Sequence, residues 1–156
     1  MHTEHSYWAI LYFMSQWTRY YILIGAIRAG WVIEYGFPKW HPDPQDHNIL
    51  DTIIREVQEE TGIASDQLMI DEFDENSISF SSQYSITNRH NKEILKISTY
   101  YPIEMKYKDP LTVLSVPVDF VHEIHDIRIV PESWVIQTLT HDNDKKFFEQ
   151  WILYVL

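Results

Sequence analysis

Residues 49–62 constrain the fold most, because helical periodicity first appears there, after three segments that resemble strands. At about 100° per residue, the apolar and the acidic side chains separate onto two stripes of one helix. Gly62 predicts the end of this helix, since glycine takes the left-handed cap conformation cheaply. One stripe is expected to pack on a core (Leu50, Ile53, Ile54 and Val57), and the other carries three carboxylates (Glu56, Glu59 and Glu60).

The acidic stripe has the composition of a site for a hard metal ion. Three neighbouring carboxylates repel one another unless a cation or protons neutralise them, and oxygen ligands favour Mg²⁺ or Mn²⁺. Arg55 lies one turn before Glu59, so an i,i+4 pair can orient this carboxylate. A solvated acidic helix face is the alternative interpretation of the same pattern.

Composition limits the classes of protein to consider. The 156 residues are 45% hydrophobic and 15% aromatic, which suits one domain with a substantial core, expected over residues 1–156. Cysteine is absent, so thiolate metal ligands are excluded. The apolar segment 7–14 is shorter than the roughly 20 residues that cross a bilayer, and a cytoplasmic protein without membrane contact is expected. The net charge of -11 argues against a general nucleic-acid surface.

Segments rich in β-branched and aromatic residues surround the helix and predict strands. These strands are expected at residues 7–14, 20–27, 31–35, 68–73, 77–84, 94–105 and about 124–130. The proline-rich stretch 36–44 predicts a loop that leads into the helix. Pro131 is expected to begin another helix, and Asp142 to cap a last one. The order of elements predicts a mixed α/β sandwich.

Residues 36–63 resemble the signature of the Nudix hydrolases, which runs Gly-x5-Glu-x7-Arg-Glu-U-x-Glu-Glu-x-Gly-U with U an aliphatic residue. The second half, residues 55–63, matches completely. In the first half Trp40 replaces the leading glycine, Gln45 a frequent glycine and Asp46 the glutamate, and the spacing that follows is one residue longer. The resemblance implies a Nudix-like α/β/α sandwich with a mixed sheet.

Three further segments resemble one branch of this superfamily, the asymmetrical diadenosine tetraphosphate hydrolases. They are the Phe-Pro-Lys-x-His segment 37–41 and residues 122–128 and 139–146. This resemblance implies water attack on the phosphate chain of a dinucleoside tetraphosphate, with Mg²⁺ or Mn²⁺ as the cofactor.

The resemblance also implies roles by position. Glu56, Glu59 and Glu60 would bind the metal, one of them would activate water, and Glu123 would add a later carboxylate. Arg55 would orient these ligands. Lys96 matches a lysine near the phosphate chain, and Tyr84 matches a tyrosine that stacks on adenine. Lys39 and His41 are cations on the loop before the helix and could hold phosphate oxygens. The alternative for each of these four is an ordinary surface or packing residue.

Three questions stay open at the level of sequence. The substrate could instead be a nucleoside triphosphate or an RNA 5′ end, although the acidic charge weighs against RNA. The chain could be a nucleotide-binding module with weak catalysis, because Trp40 replaces a glycine that lets the backbone approach the metal. A partner interface would follow if several of the early aromatic residues shared one exposed face: Trp8, Tyr12, Trp17, Tyr20 and Tyr21. Zinc is not expected, because the histidines lack a recognised ligand spacing.

Overall fold

A mixed sheet is the centre of the structure, which is a computed structural model. The structure describes residues 2–27, 29–40, 48–71, 73, 77–112, 114, 124 and 126–156, and of residues 29 and 40 it describes only the backbone. The described strands are His2–Ser15 (β1), Thr18–Ile27 (β2), Ile33–Gly36 (β3), Lys39–Trp40 (β4), Phe80–Thr87 (β5), Glu93–Glu104 (β6) and Asp126–Pro131 (β7). The described α-helices are Ile49–Thr61 (α1), Val135–Thr138 (α2) and Asp142–Val155 (α3). None of these helices is long and apolar enough to span a bilayer.

The sheet opens where β1 and β2 diverge. The order of strands is β3-β2-β1-β6-β5, with β7 also paired to β2 and β4 to β1, and β1 runs parallel to β6. β1 pairs with β2 only over residues 12–15. In its earlier part, β1 pairs instead with β4 through Tyr7 and Trp8. β3 pairs with the end of β2. Residues 33–40 therefore fill a V-shaped gap, with Phe37 and Pro38 at its apex and the Pro38 carbonyl accepting from the Ala9 N–H at 3.0 Å.

Two hydrophobic clusters cover the two faces of the sheet, as alternation along a strand requires. Ala9, Leu11 and Phe13 of β1 contact the cluster that contains Ile53 and Val57 of α1. Ile10, between them, belongs to the opposite cluster, whose members from α3 are Phe147, Phe148 and Trp151. The predicted sandwich with a mixed sheet is confirmed.

Helix α1 begins and ends where its sequence predicts. The Asn48 side chain accepts a hydrogen bond from the backbone N–H of Asp51 at 2.9 Å, which satisfies one of the free donors of the first turn. Gly62 has φ 73°, and its N–H donates to the Gln58 carbonyl at 2.9 Å. The left-handed cap predicted at Gly62 is confirmed, so the acidic stripe lies on a helix with defined ends.

Several predicted elements differ from the structure. Within the predicted strand 68–73, Leu68 forms only an isolated bridge to Met105. Asp142 is the first residue of α3, because the cap position is occupied by His141. Pro131 ends β7 and precedes a 3-10 turn, Glu132–Trp134, before α2. The predicted loop 36–44 includes β4, whose pairing with β1 depends on the V-shaped gap and has no local signature.

The early aromatic residues do not share one exposed face. Trp17 is 97% exposed at the turn between β1 and β2, where it has φ 71°, whereas Tyr21 is fully buried. Trp8, Tyr12 and Tyr20 are partly buried and pack against the two core clusters. Most of these rings therefore stabilise the fold, and the condition for a partner interface is not met.

Candidate functional site

Arg55 organises two of the three carboxylates on α1. Its Nη1 donates to Glu56 Oε1 at 2.9 Å and to Glu59 Oε2 at 3.2 Å. The predicted i,i+4 pair with Glu59 is confirmed, and the contact with the adjacent Glu56 is an addition that helical spacing alone did not predict. One guanidinium thus fixes two carboxylates on the same face of the helix.

Glu56 is a carboxyl group of this stripe whose pKa departs from the ordinary value. Burial raises its pKa, and the neighbouring charge of Glu59 raises it further, whereas Arg55 lowers it. The net effect is a pKa above the ordinary value of a glutamate. A nearby cation would stabilise the ionised form, which is the electrostatic situation expected of a metal ligand or a general base.

Glu60 connects α1 to the strand that fills the gap in the sheet. Its Oε2 accepts from the backbone N–H of Lys39 at 3.1 Å. Lys39 therefore lies beside the acidic stripe, as its position before the helix predicts. Its Nζ lies 4.9 Å from the ring centroid of Trp8, a cation–π distance. Trp8 is itself stacked on Tyr100, with centroids 5.2 Å apart and ring planes inclined by 4°.

A cavity of about 510 Å³ lies at the V-shaped gap, between β1, β2, β3 and the beginning of α3. Its apolar and aromatic walls include Trp8, Ile24, Ala26, Ile27, Tyr35 and Phe37. Its polar lining consists of the side chains Glu34, Lys39, Glu60, His141 and Asp144. The cavity thus begins at the acidic stripe, which contributes Glu60, and reaches the N-terminal turn of α3.

Tyr84 and Lys96 form a second group of predicted site residues. They are direct partners across β5 and β6, and Lys96 Nζ lies 3.5 Å from Glu4 Oε2. Tyr84 is 46% exposed, so part of this residue is accessible to a ligand. Lys96 precedes Tyr100 by four residues on one face of β6, a separation of roughly 13 Å at strand spacing. The structure thus places both residues near one another but outside the cavity lining.

Several predicted residues cannot be placed. His41, Gln45, Asp46 and Glu123 lie outside the described residues, and of Trp40 only the backbone is described. Their predicted roles therefore stay predictions.

The donor set of α1 fits a hard divalent ion by its chemistry. Three carboxylates supply oxygen ligands, and a nearby cation would offset the burial that raises the pKa of Glu56. Within the described part of the chain, however, no three His, Asp or Glu side chains are arranged as a ready metal site. Glu56 and Glu59 are held by Arg55, and Glu60 is held by the backbone N–H of Lys39.

Asp144 is a polar residue of the cavity that the sequence interpretation missed. It is only 2% exposed, and its Oδ1 accepts from the Tyr100 hydroxyl at 2.5 Å. Burial raises the pKa of Asp144, while Tyr100, His141 and Lys39 lower it by smaller amounts. Its spacing from Phe147, Phe148 and Trp151 places it on the apolar stripe of α3, and this spacing was the available signal.

Comparison with known proteins gives one clear result at the level of structure. No protein family model matches the sequence, and no curated protein sequence matches it. Among solved structures, an Ap4A hydrolase from C. elegans in a binary complex matches with a TM-score of 0.69 and 16% identity over 97% of each chain. The chain therefore has the fold of the Nudix hydrolases, as the resemblance of its sequence predicts.

Two further neighbours show how widely this fold is shared. The Nudix domain of Shewanella oneidensis NrtR, solved with ADP ribose, matches with a TM-score of 0.71 and 13% identity, over 100% of this chain and 90% of that one. The E. coli dihydroneopterin triphosphate pyrophosphohydrolase matches with a TM-score of 0.63 and 10% identity, over 99% of each chain. Neighbours with different ligands indicate that the substrate must be argued from the site itself.

Proposed function

We propose that this protein is a metal-dependent hydrolase of nucleoside polyphosphates, with Mg²⁺ or Mn²⁺ as its cofactor and a dinucleoside tetraphosphate as its substrate. The observation that carries this proposal is the acidic stripe of α1 in a Nudix fold, in which Arg55 holds Glu56 and Glu59 and the Lys39 N–H holds Glu60. The preference for a dinucleoside substrate is supported by the sequence resemblance and by the partly exposed Tyr84.

The residues of α1 have different roles in this proposal. Glu56, Glu59 and Glu60 hold the divalent ion, with Glu123 as a further carboxylate that the resemblance supplies. When bound, the ion neutralises the phosphate chain and polarises the attacked phosphorus. One of these glutamates accepts the proton of the attacking water. Arg55 fixes the orientation of these carboxylates and acts as a positioning residue.

The cations and the exposed tyrosine hold the substrate. Lys39 and Lys96 face the phosphate chain from β4 and β6, together with His41, which enters on the sequence alone. Tyr84 stacks on one base, since an aromatic plate binds any base through its face. The same machinery would hydrolyse a nucleoside triphosphate, so both substrates belong in the assay.

A catalytically weak nucleotide-binding module is the second candidate. It is favoured by the absence of a ready three-carboxylate site among the described residues and by Trp40 in place of the leading glycine. Such a module would bind a nucleotide without turnover. Restoring the glycine with Trp40→Gly should then raise the activity.

The first experiment is the hydrolysis of diadenosine tetraphosphate with Mg²⁺, with Mn²⁺ and without metal, with the products separated by chromatography. Release of ATP and AMP that requires metal is expected, and Glu59→Gln should abolish it. Glu149→Gln on the exposed side of α3 is the matched control and should retain full activity. Equal turnover by Glu59→Gln and the parent would show this mechanism to be wrong, and nucleotide binding without turnover would favour the second candidate.

A further inference from the structure

Strand β5 forms one edge of the sheet and lacks the features that usually protect an edge. Among the described strands it pairs only with β6, in a continuous antiparallel register without a bulge. Alternate residues of an edge strand direct their backbone N–H and C=O groups away from the sheet, where another strand can pair with them. Natural edges are commonly protected by lysine, proline or a bulge. Residues 77–88 contain no charged residue and no proline.

The side chains of this edge are largely exposed. One face of β5 consists of small polar residues that are all exposed: Ser81, Gln83, Ser85 and Thr87. On the other face Tyr84 is 46% exposed, and Ile78, just before the strand, is 44% exposed. Phe80 packs against Tyr154 of α3, with ring centroids 6.3 Å apart. The edge thus combines accessible backbone groups with partly exposed apolar side chains, as an interaction surface does.

The sequence of this edge reads almost the same in both directions from Ser82. Aromatic residues stand at positions 80 and 84, isoleucine at 78 and 86, and asparagine at 76 and 88. The positions between them are serine, threonine or glutamine on both sides. Opposite residues of an antiparallel pair have a constant sum of residue numbers, so a palindromic strand matches a second copy of itself. An axis at Ser82 would place Phe80 opposite Tyr84 and Ile78 opposite Ile86, with residues 78 and 79 joining the strand.

The charges that flank this segment are also complementary to a second copy. Residues 71–76 contain four carboxylates and no cation, whereas residues 89–92 contain Arg89, His90 and Lys92 and no carboxylate. Residues 72 and 74–76 lie outside the described residues, so their charges are taken from the sequence alone. Antiparallel pairing brings the beginning of one strand beside the end of the other, so opposite charges meet. Parallel pairing would bring like charges together.

We infer that two copies of this protein associate through β5, antiparallel and with a two-fold axis at Ser82, so that their sheets join into one continuous sheet. The association is closed, because each copy uses the same edge. It goes beyond the proposed function and does not depend on hydrolysis. Since each copy contributes one strand, the interface is small, and a Kd of roughly 10–100 µM is expected.

Sedimentation of the full chain, without nucleotide or metal, tests the association. From about 1 µM to about 1 mM the protein should convert from monomer to dimer. Ser82→Lys places two ammonium groups opposite each other at the axis and should weaken the dimer at least about tenfold. Ser65→Lys adds the same charge at an exposed position outside the sheet and should leave the Kd unchanged. Thermal melts show whether each variant is folded. A parent that stays monomeric, or an unchanged Kd for Ser82→Lys, would overturn the inference.

Cysteine cross-linking tests the position of the axis, because the chain has no cysteine of its own. Opposite residues of antiparallel strands have Cα atoms about 4.5–5.5 Å apart, which a disulfide can span. Ser82→Cys should therefore form a linked dimer under mild oxidation. Ser85→Cys is more exposed, but its two copies would lie six residues, or about 20 Å, apart along the strands and should stay largely unlinked. Equal or faster linking of Ser85→Cys would overturn the inference.

The two proposals can fail separately. Metal-dependent hydrolysis of diadenosine tetraphosphate by a protein that is monomeric at every concentration would overturn only the association through β5. A dimer that is linked through Ser82→Cys but has no polyphosphate turnover would overturn only the proposed hydrolysis.

Discussion

Helices α1 and α3 both contribute carboxylates to one cavity but hold them in opposite ways. On α1 the carboxylates are partly exposed and are held by cationic or backbone donors, as in the contacts from Arg55 to Glu59 and from Lys39 to Glu60. On α3 the carboxylate of Asp144 is buried and is held by the hydroxyl of Tyr100. A carboxylate held in the first way remains within reach of solvent and of a metal ion, whereas Asp144 is enclosed by the core and burial raises its pKa.

The largest effect should come from Arg55, because two carboxylates of α1 depend on it. Arg55→Ala should lower kcat/KM for diadenosine tetraphosphate by about 10- to 100-fold, the range found when a group that orients metal ligands is removed. The apparent affinity for Mg²⁺ should fall as well, which a purely structural role would not cause. Steady-state kinetics at several Mg²⁺ concentrations measure both.

Arg19 is the matched control, since it also pairs with a carboxylate, Glu132, but on β2 and away from the cavity. Arg19→Ala is expected to change stability and to leave the Mg²⁺ dependence unaltered. If the two arginine variants responded alike in the Mg²⁺ titration, α1 would not be the metal-binding helix.

Substitution of Tyr100 tests the buried carboxylate of α3, Asp144. Tyr100→Phe removes the hydroxyl donor to Asp144 and leaves a buried carboxyl group without its partner, which should reduce the free energy of unfolding by about 1–3 kcal/mol. Tyr84→Phe removes a hydroxyl from an exposed ring and should change stability by less than about 0.5 kcal/mol. Urea unfolding of both variants gives the comparison, and equal stabilities would show that the bond to Asp144 contributes nothing.

The two helices also differ in how well the sequence predicted them. The stripe on α1 is local: a 3.6-residue period, an i,i+4 pair and a terminal glycine define it, and the pair Arg55–Glu59 and the cap at Gly62 are both confirmed. The partner of Asp144 lies 44 residues away in the chain, so the burial of this carboxylate depends on sheet register. β4 was not predicted, because it also depends on contacts that are distant in the chain: its pairing with β1 requires β1 and β2 to diverge.

Lys39 connects the acidic stripe of α1 with the aromatic wall of the cavity. Its backbone N–H donates to Glu60, and its side-chain ammonium lies over the Trp8 ring. Lys39→Met keeps the backbone donor and the aliphatic stem but removes the charge. The KM for the polyphosphate should rise about three- to tenfold, with a smaller change in kcat, because a charged hydrogen bond to phosphate is lost. The exposed Lys146→Met is the control on α3. A decrease in kcat without a change in KM would show that Lys39 orients Glu60 and does not bind the substrate.

The smallest effect concerns pH, and it separates Asp144 from a carboxylate stabilised by a cation. Burial raises the pKa of Asp144 in the folded state, so folding favours its protonated form and its ionisation opposes stability as the pH rises above the unfolded value of 3.8. At Asp126 burial also raises the pKa, but bonds from Arg128 and Tyr35 outweigh it and the net pKa is lowered. Ionised Asp126 therefore contributes stability above 3.8 that is lost as the pH falls through its folded pKa.

Opposite pH slopes follow for the two asparagine variants. Relative to the parent, Asp144→Asn should gain stability as the pH rises from 4 to 7, because the pKa of Asp144 is raised. Asp126→Asn should instead lose stability relative to the parent on the acid side of 3.8, as the pH rises through the lowered folded pKa of Asp126. Chemical denaturation at the two ends of each pH interval measures the two differences. Parallel slopes would mean that the ionised form of Asp144, like that of Asp126, is stabilised in the folded state.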